Sequence, residues 1–226
     1  MPSYKRAMAF WTSLFGKRKE TIDLAAPPQS IANLRTQVFS EDYFVMKVLD
    51  REKMAMRPLA AGLVEAIVED LGAGERTVRW DNLAHFGKSH DELFALARGQ
   101  AAKAETGVQS QVVDGDVEVM ITNGFYLSAL LLETFATRDQ KQGVLFVPLS
   151  WHHWCVHIIG PMTMPQHPML LKMVAEQIGS MMKVSDAERL NENVYWYKPG
   201  GVIEKITFAG EQPTSVELLK ALDPAS

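Results

Sequence analysis

The sequence predicts an α+β fold, a largely antiparallel sheet built from hairpins with helices mainly on one face. Three observations carry this expectation. Alternating segments are joined by short turn signals, capping residues precede apolar stripes, and from residue 108 onward strand-strand-helix units follow one another three times. Hairpins separated by helices pair neighbouring strands antiparallel, because parallel neighbours need a longer crossover.

Residues 1–20 hold five basic side chains and one glutamate, and Met8, Trp11 and Phe15, then Phe10 and Leu14, recur at helical spacing. This makes 1–24 a basic amphipathic arm, with residues 5–19 able to meet an anionic membrane surface or to dock on protein. The apolar stretch is short, contains Thr12 and Ser13, and has no small-residue cleavage site, unlike a signal peptide. "AAPPQS" at 25–30 breaks any helix before it and opens a single α+β domain over 25–226.

Ser30 can cap a short helix through Phe39, and "DYFVMKVLD" at 42–50 alternates as a strand. "MRPLAAGLVEAIVEDLGAG" at 56–74 reads as the clearest helix of the chain. Pro58 suits its first turn, Leu59, Leu63, Ile67 and Leu71 form a stripe, and Gly72 stops it. "RTVRW" at 76–80 is a short strand. Ser89 and Glu92 have capping-box spacing, and Leu93, Leu96, Ala97 and Ala104 supply the buried face of the helix they open.

"QSQVVDGDVEVMI" at 109–121 is a hairpin turning at Asp114-Gly115, and "NGFYLSALLLETFATRD" is a helix apolar on most sides. A second strand pair fills 144–159, followed by a helix from about Pro165 to Lys183. The third pair turns through Pro199-Gly200-Gly201, and a last helix runs from Ser215 to Leu222.

With 47% hydrophobic and 22% charged residues the composition is that of a globular protein, and a net charge of −4 argues against nucleic acid as partner. One cysteine, Cys155, allows no internal disulfide, which suits the cytoplasm. The longest nearly apolar run, Phe125 to Phe135, is far short of a bilayer span. The chain has no phosphate-binding glycine loop, no G-x-S-x-G, no H-E-x-x-H and no C-x-x-C, so no catalytic residue and no cofactor is assigned.

"SWHHWCVHII" at 150–159 concentrates three histidines, the cysteine and two tryptophans. A strand through 154–159 sends Trp154, Val156 and Ile158 to one face and Cys155, His157 and Ile159 to the other, leaving Ser150 to His153 for the turn. A metal site would draw on His153, Cys155 and His157 and needs a further ligand from elsewhere. A thiol nucleophile would use Cys155 with His153 or His157, but a cysteine between Trp154 and Val156 gains nothing that lowers its pKa. A turn displaying Trp151, His152 and His153 would instead suit a protein contact. Six of the twelve methionines fall between 162 and 182. Met162 and Met164 join the turn as partner-binding candidates, while Met169, Met173 and Met181 follow a helical stripe that reads as core filling. The reading favoured is a protein-interaction or adaptor domain without catalytic activity, able to self-associate. The alternatives are a metal-dependent or cysteine-based hydrolase centred on 150–157, and peripheral membrane attachment through the arm.

"VRWDNLAHFGKSHDELFALARGQAAK", "NGFYLSALLLETF" and "GVLFVPLSWHHWCVHII", taken together, resemble the YtpQ-like family of bacterial proteins of unknown function over about residues 76–159. The resemblance implies a strand with a short helix, a capped helix, a central helix, and a hairpin whose first strand a proline closes. It carries no catalytic residues onto this sequence. Here the turn after Pro148 is longer and more aromatic than the family's, and the first 55 residues have no counterpart.

Overall fold

The computed structural model describes residues 26–42, 52–72, 74–113, 116–137, 142–181 and 189–223. The arm, nearly all of the strand expected at 42–50, and the Asp114-Gly115 turn lie outside the described residues.

Ser30 does cap, its hydroxyl accepting from the Ala32 N–H at 3.1 Å, but it caps a single 3₁₀ turn, Ile31–Asn33. The chain then extends as β1, Leu34–Ser40, in place of the helix expected through Phe39. The segment read as the clearest helix is also extended. It forms a hairpin of β2, Met56–Ala60, and β3, Leu63–Asp70, reversing at Gly62, whose φ of +87° an L side chain rarely adopts. β3 is the central strand, bonded to β1, to β2 and to β4, Glu75–Thr77. Every residue from Leu63 to Glu69 is buried, so both faces are covered and the alternation that marks a strand disappears. What remained was an accidental i, i+4 leucine-isoleucine stripe.

Two of those buried residues are glutamates, and each has its counter-charge. Glu65 accepts from Arg57 Nε at 2.9 Å and from Arg98 Nε and Nη2 at 2.8 and 2.6 Å. Glu69 accepts from Arg76 Nε at 2.7 Å and from the Gln29 N–H at 3.0 Å. Arg98 lies on α1, His90–Ala104, which opens with the expected capping box: Ser89 Oγ accepts from the Glu92 N–H, and the Glu92 carboxylate accepts from the Ser89 N–H. Leu93, Phe94 and Ala97 of α1 pack on Leu34 and Ile67.

The second half builds the six-stranded antiparallel sheet. Its strands are β5, Gln109–Val112; β6, Glu118–Ile121; β7, Val144–Pro148; β8, His153–Ile158; β9, Tyr195–Tyr197; and β10, Ile203–Lys205. Their order is β10-β9-β7-β8-β6-β5. Phe208–Ala209 and Gln212–Pro213, β11 and β12, form a separate small pair. The α+β class and antiparallel pairing are as expected, and α2, Leu127–Thr137, α3, His167–Met181, and α4, Val216–Ala221, follow their strand pairs.

The helices are divided between the two faces of this sheet. Leu171, Val174 and Ala175 of α3 and Leu218 of α4 pack with Leu145, Val147, Cys155 and Trp196. Leu127, Leu131, Leu132 and Phe135 of α2 pack with Phe146, Trp154, Val156 and Tyr195, joined by Val38 and Leu63 of the first sheet. All five residues of β7 are buried, and a strand apolar on both sides requires cover on both. No described helix is long and apolar enough to cross a membrane.

Candidate functional site

The aromatic turn between β7 and β8 is held by its own serine. Ser150 Oγ accepts from the His152 N–H at 3.2 Å and lies 2.9 Å from His153 Nδ1, while the Leu149 and Ser150 N–H groups both donate to the His153 carbonyl. The chain thus reverses at Ser150–His152, one residue sooner than expected, and β8 takes in His153. By alternation His153, Cys155 and His157 then share one face.

They nevertheless do not converge. Cys155 is wholly buried in the core, and burial pushes its thiol up to about 12, leaving almost no thiolate near neutral pH. His157 is also buried, its Nδ1 3.3 Å from the Asp116 carbonyl and its Nε2 3.0 Å from Thr163 Oγ1, and its ring stacks on His167 with centroids 4.9 Å apart. Desolvation, opposed by the Asp116 hydrogen bond, holds its pKa below that of a free imidazole. Among the described residues no group of three or more histidine, cysteine or acidic side chains is placed to hold a metal ion.

Trp151 and His152 are half-buried and packed inward. Trp151 meets Phe39 edge-on at 5.9 Å. His152 tilts against Phe125 at 5.2 Å and sets Nδ1 2.7 Å from the Gly124 carbonyl. Beneath them Glu105, just past α1, accepts from Thr122 Oγ1 at 2.5 Å and from the Tyr126 N–H at 2.7 Å. Its carboxylate lies so close to Gly124 that a Cβ there would collide with it. The turn therefore closes over the first sheet as a plug.

The methionines lie differently. Met162 is 82%, Met164 51%, Met173 51% and Met181 76% exposed. Met173 and Met181 thus face solvent, correcting their reading as core filling. The buried side of α3 is instead Leu171, Val174, Ala175 and Gly179. Between Met173 and Met181 the helix carries a shallow hollow of about 440 Å³, lined also by Glu176, Gln177 and Ser180. Met164 is tethered, its N–H donating to His167 Nδ1 at 2.8 Å.

One cluster had no sequence signal, because its members come from four separate segments. Arg35 on β1, Asp70 on β3 and Glu75 on β4 share a sheet face by register, with Arg35 Nη2 3.6 Å from Asp70 Oδ2. Tyr126 is the fourth member, and its hydroxyl favours the ionised form of the Glu75 carboxyl. Glu75 as a residue is only half-buried, yet its Oε1 is shut from solvent without a hydrogen-bond partner, as is Arg35 Nε. Desolvation raises Glu75 to about 7, against the Tyr126 hydroxyl, and desolvation with the Glu75 charge raises Tyr126.

Compared with protein-family models, with curated proteins and with solved structures, the chain matches none.

Proposed function

We propose that this chain is a cytoplasmic protein-interaction domain without catalytic activity, related to the bacterial YtpQ-like proteins, and that it meets its partner through the methionines between 162 and 181. The observation that carries the reading is that Met162 and Met164, just before α3, and Met173 and Met181 on it each expose half or more of their surface, while α3 fills its core side with branched and small residues. Thioethers are flexible and polarisable, so exposed methionines adapt to apolar side chains of varied shape. The charges beside them, Lys172 and Glu176, sit 3.8 Å apart and answer each other. That leaves an apolar face of a protein helix as the fitting occupant. Trp151 and His152, which plug the first sheet, serve such a surface less well.

The test uses the chain labelled with ¹³C at its methionine methyls, titrated with amphipathic helical peptides selected for binding to it. Ligand should move the Met162, Met164, Met173 and Met181 signals, and Met164→Lys with Met173→Lys should weaken binding at least tenfold without lowering the melting temperature. Selected peptides that leave these four signals in place would sink the proposal.

A further inference from the structure

The two edges of the six-stranded sheet are unequal. β10 carries Glu204 and Lys205, and Glu204 is engaged by Lys198 at 2.6 Å, so charge guards that edge. β5 reads Gln109, Ser110, Gln111, Val112: all four residues are exposed, none is charged, and none is proline. Among the described residues its outer side pairs with nothing. A bare, uncharged edge of this kind is a template for another strand.

Which backbone groups it offers follows from the ladder. The Val113 N–H donates to the Val117 carbonyl at 2.8 Å, and in the same register Gln111 faces Val119 and Gln109 faces Ile121. On the far side of β6 the Thr122 N–H donates to the His152 carbonyl, so the even residues of β6 serve β8 and its odd residues serve β5. The odd residues of β5 are therefore spent on β6, and Ser110 and Val112 turn their N–H and C=O groups outward.

We propose that β5 pairs antiparallel with β5 of a second copy, about a twofold axis through Gln111. Only outward-facing residues can bond each other, which restricts twofold registers to axes at 110, 111 or 112. The axis at 111 centres the pairing on residues 109–113: Ser110 bonds Val112 of the other copy, Val112 bonds Ser110, and Gln111 meets its own equivalent as a non-hydrogen-bonded pair. No like charges meet, and the two sheets run on as one of twelve strands, six from each copy. An isologous pair is the commonest way for a chain to close an assembly. This goes beyond the methionine surface and does not depend on it.

Non-hydrogen-bonded antiparallel partners have Cα atoms about 4.5 Å apart, within disulfide range, whereas residue 110 and its own equivalent would be about 8 Å apart, outside it. Cys155, wholly buried, does not compete. The chain carrying Ser110→Cys, Gln111→Cys or Val112→Cys, one at a time, is oxidised with glutathione disulfide and run on a non-reducing gel. Gln111→Cys should become a covalent dimer at least tenfold more than the other two. In sedimentation equilibrium the unaltered chain should show dimer, and Ser110→Pro, which removes only an outward N–H, should weaken it at least tenfold with circular dichroism unchanged. If Ser110→Pro does not fold, Gln111→Lys, setting like charges on the axis, should weaken the dimer equally. A monomer throughout, preferred cross-linking at 110 or 112, or a dimer indifferent to these changes would overturn the proposal. Persistence of the dimer in the Met164→Lys and Met173→Lys chain separates this contact from the methionine surface.

Discussion

Replacing Glu75 by glutamine should stabilise the protein in alkaline solution and leave it nearly unchanged in acid. The folded chain holds this carboxyl at about 7 where an unperturbed one titrates at 4.5. Below 4.5 both folded and unfolded chains carry the proton, and the group is neutral to stability. Between 4.5 and about 7 the folded chain keeps a proton that the unfolded chain has released, so stability falls as pH rises, and above 7 the whole penalty is present. At about 1.4 kcal/mol per pH unit that interval corresponds to about 3 kcal/mol, an upper figure because a buried carboxylate draws in water or shifts. Arg35 offsets part of the cost and Asp70 adds to it, and both survive the substitution. Glutamine keeps the shape of the side chain and carries no charge. Urea unfolding at pH 5 and pH 8.5 reads the effect: Glu75→Gln should lie within about 1 kcal/mol of the parent at the lower pH and about 2–3 kcal/mol above it at the higher. An equal difference at both pH values would refute the reasoning, because only a group that titrates in the interval can make the two diverge.

Two further outcomes follow from the buried groups. Cys155, pushed up to about 12, should not react with Ellman's reagent at pH 8 until denaturant unfolds the chain, and fast labelling of the native protein would contradict its burial. Glu65→Ala leaves Arg57 and Arg98 crowded together without their shared carboxylate and should cost about 3–5 kcal/mol in urea unfolding, whereas a loss under about 1 kcal/mol would mean that the carboxylate is not the hub its contacts imply.

The sequence displayed those features whose physics is local. The Ser89–Glu92 box opens α1 because both reciprocal hydrogen bonds form within four residues, and 109–121 turns back on itself because polar and apolar residues alternate there over an exposed edge. Leu63–Asp70 was misread for the opposite reason. A strand covered on both faces shows no period of two, and of its glutamates Glu65 finds Arg98, 33 residues away, and Glu69 finds Arg76 only after folding. Val64, Ile67 and Val68, β-branched within eight residues after Gly62, were the signal that could have favoured a strand. At the aromatic turn the alternation of Trp154, Cys155, Val156 and His157 was legible. Whether Trp151 faced solvent or Phe39 was not, because Phe39 belongs to a strand more than a hundred residues earlier. The Arg35, Asp70, Glu75 and Tyr126 cluster was invisible, since no spacing relates its members.

The cluster joining Val38 and Leu63 to Phe146, Trp154 and Tyr195 bears on how the chain is born. The Tyr195 hydroxyl donates to the Ala61 carbonyl at 3.2 Å across a separation of 134 residues. During synthesis the opening hairpin leaves the ribosome long before the residues that roof it exist, and for that interval its apolar flank stays wet and open to stray company. Folding here is tied to the arrival of the late strands, so a ribosome halted before Tyr195 would release a nascent product for chaperones to shelter or proteases to clear.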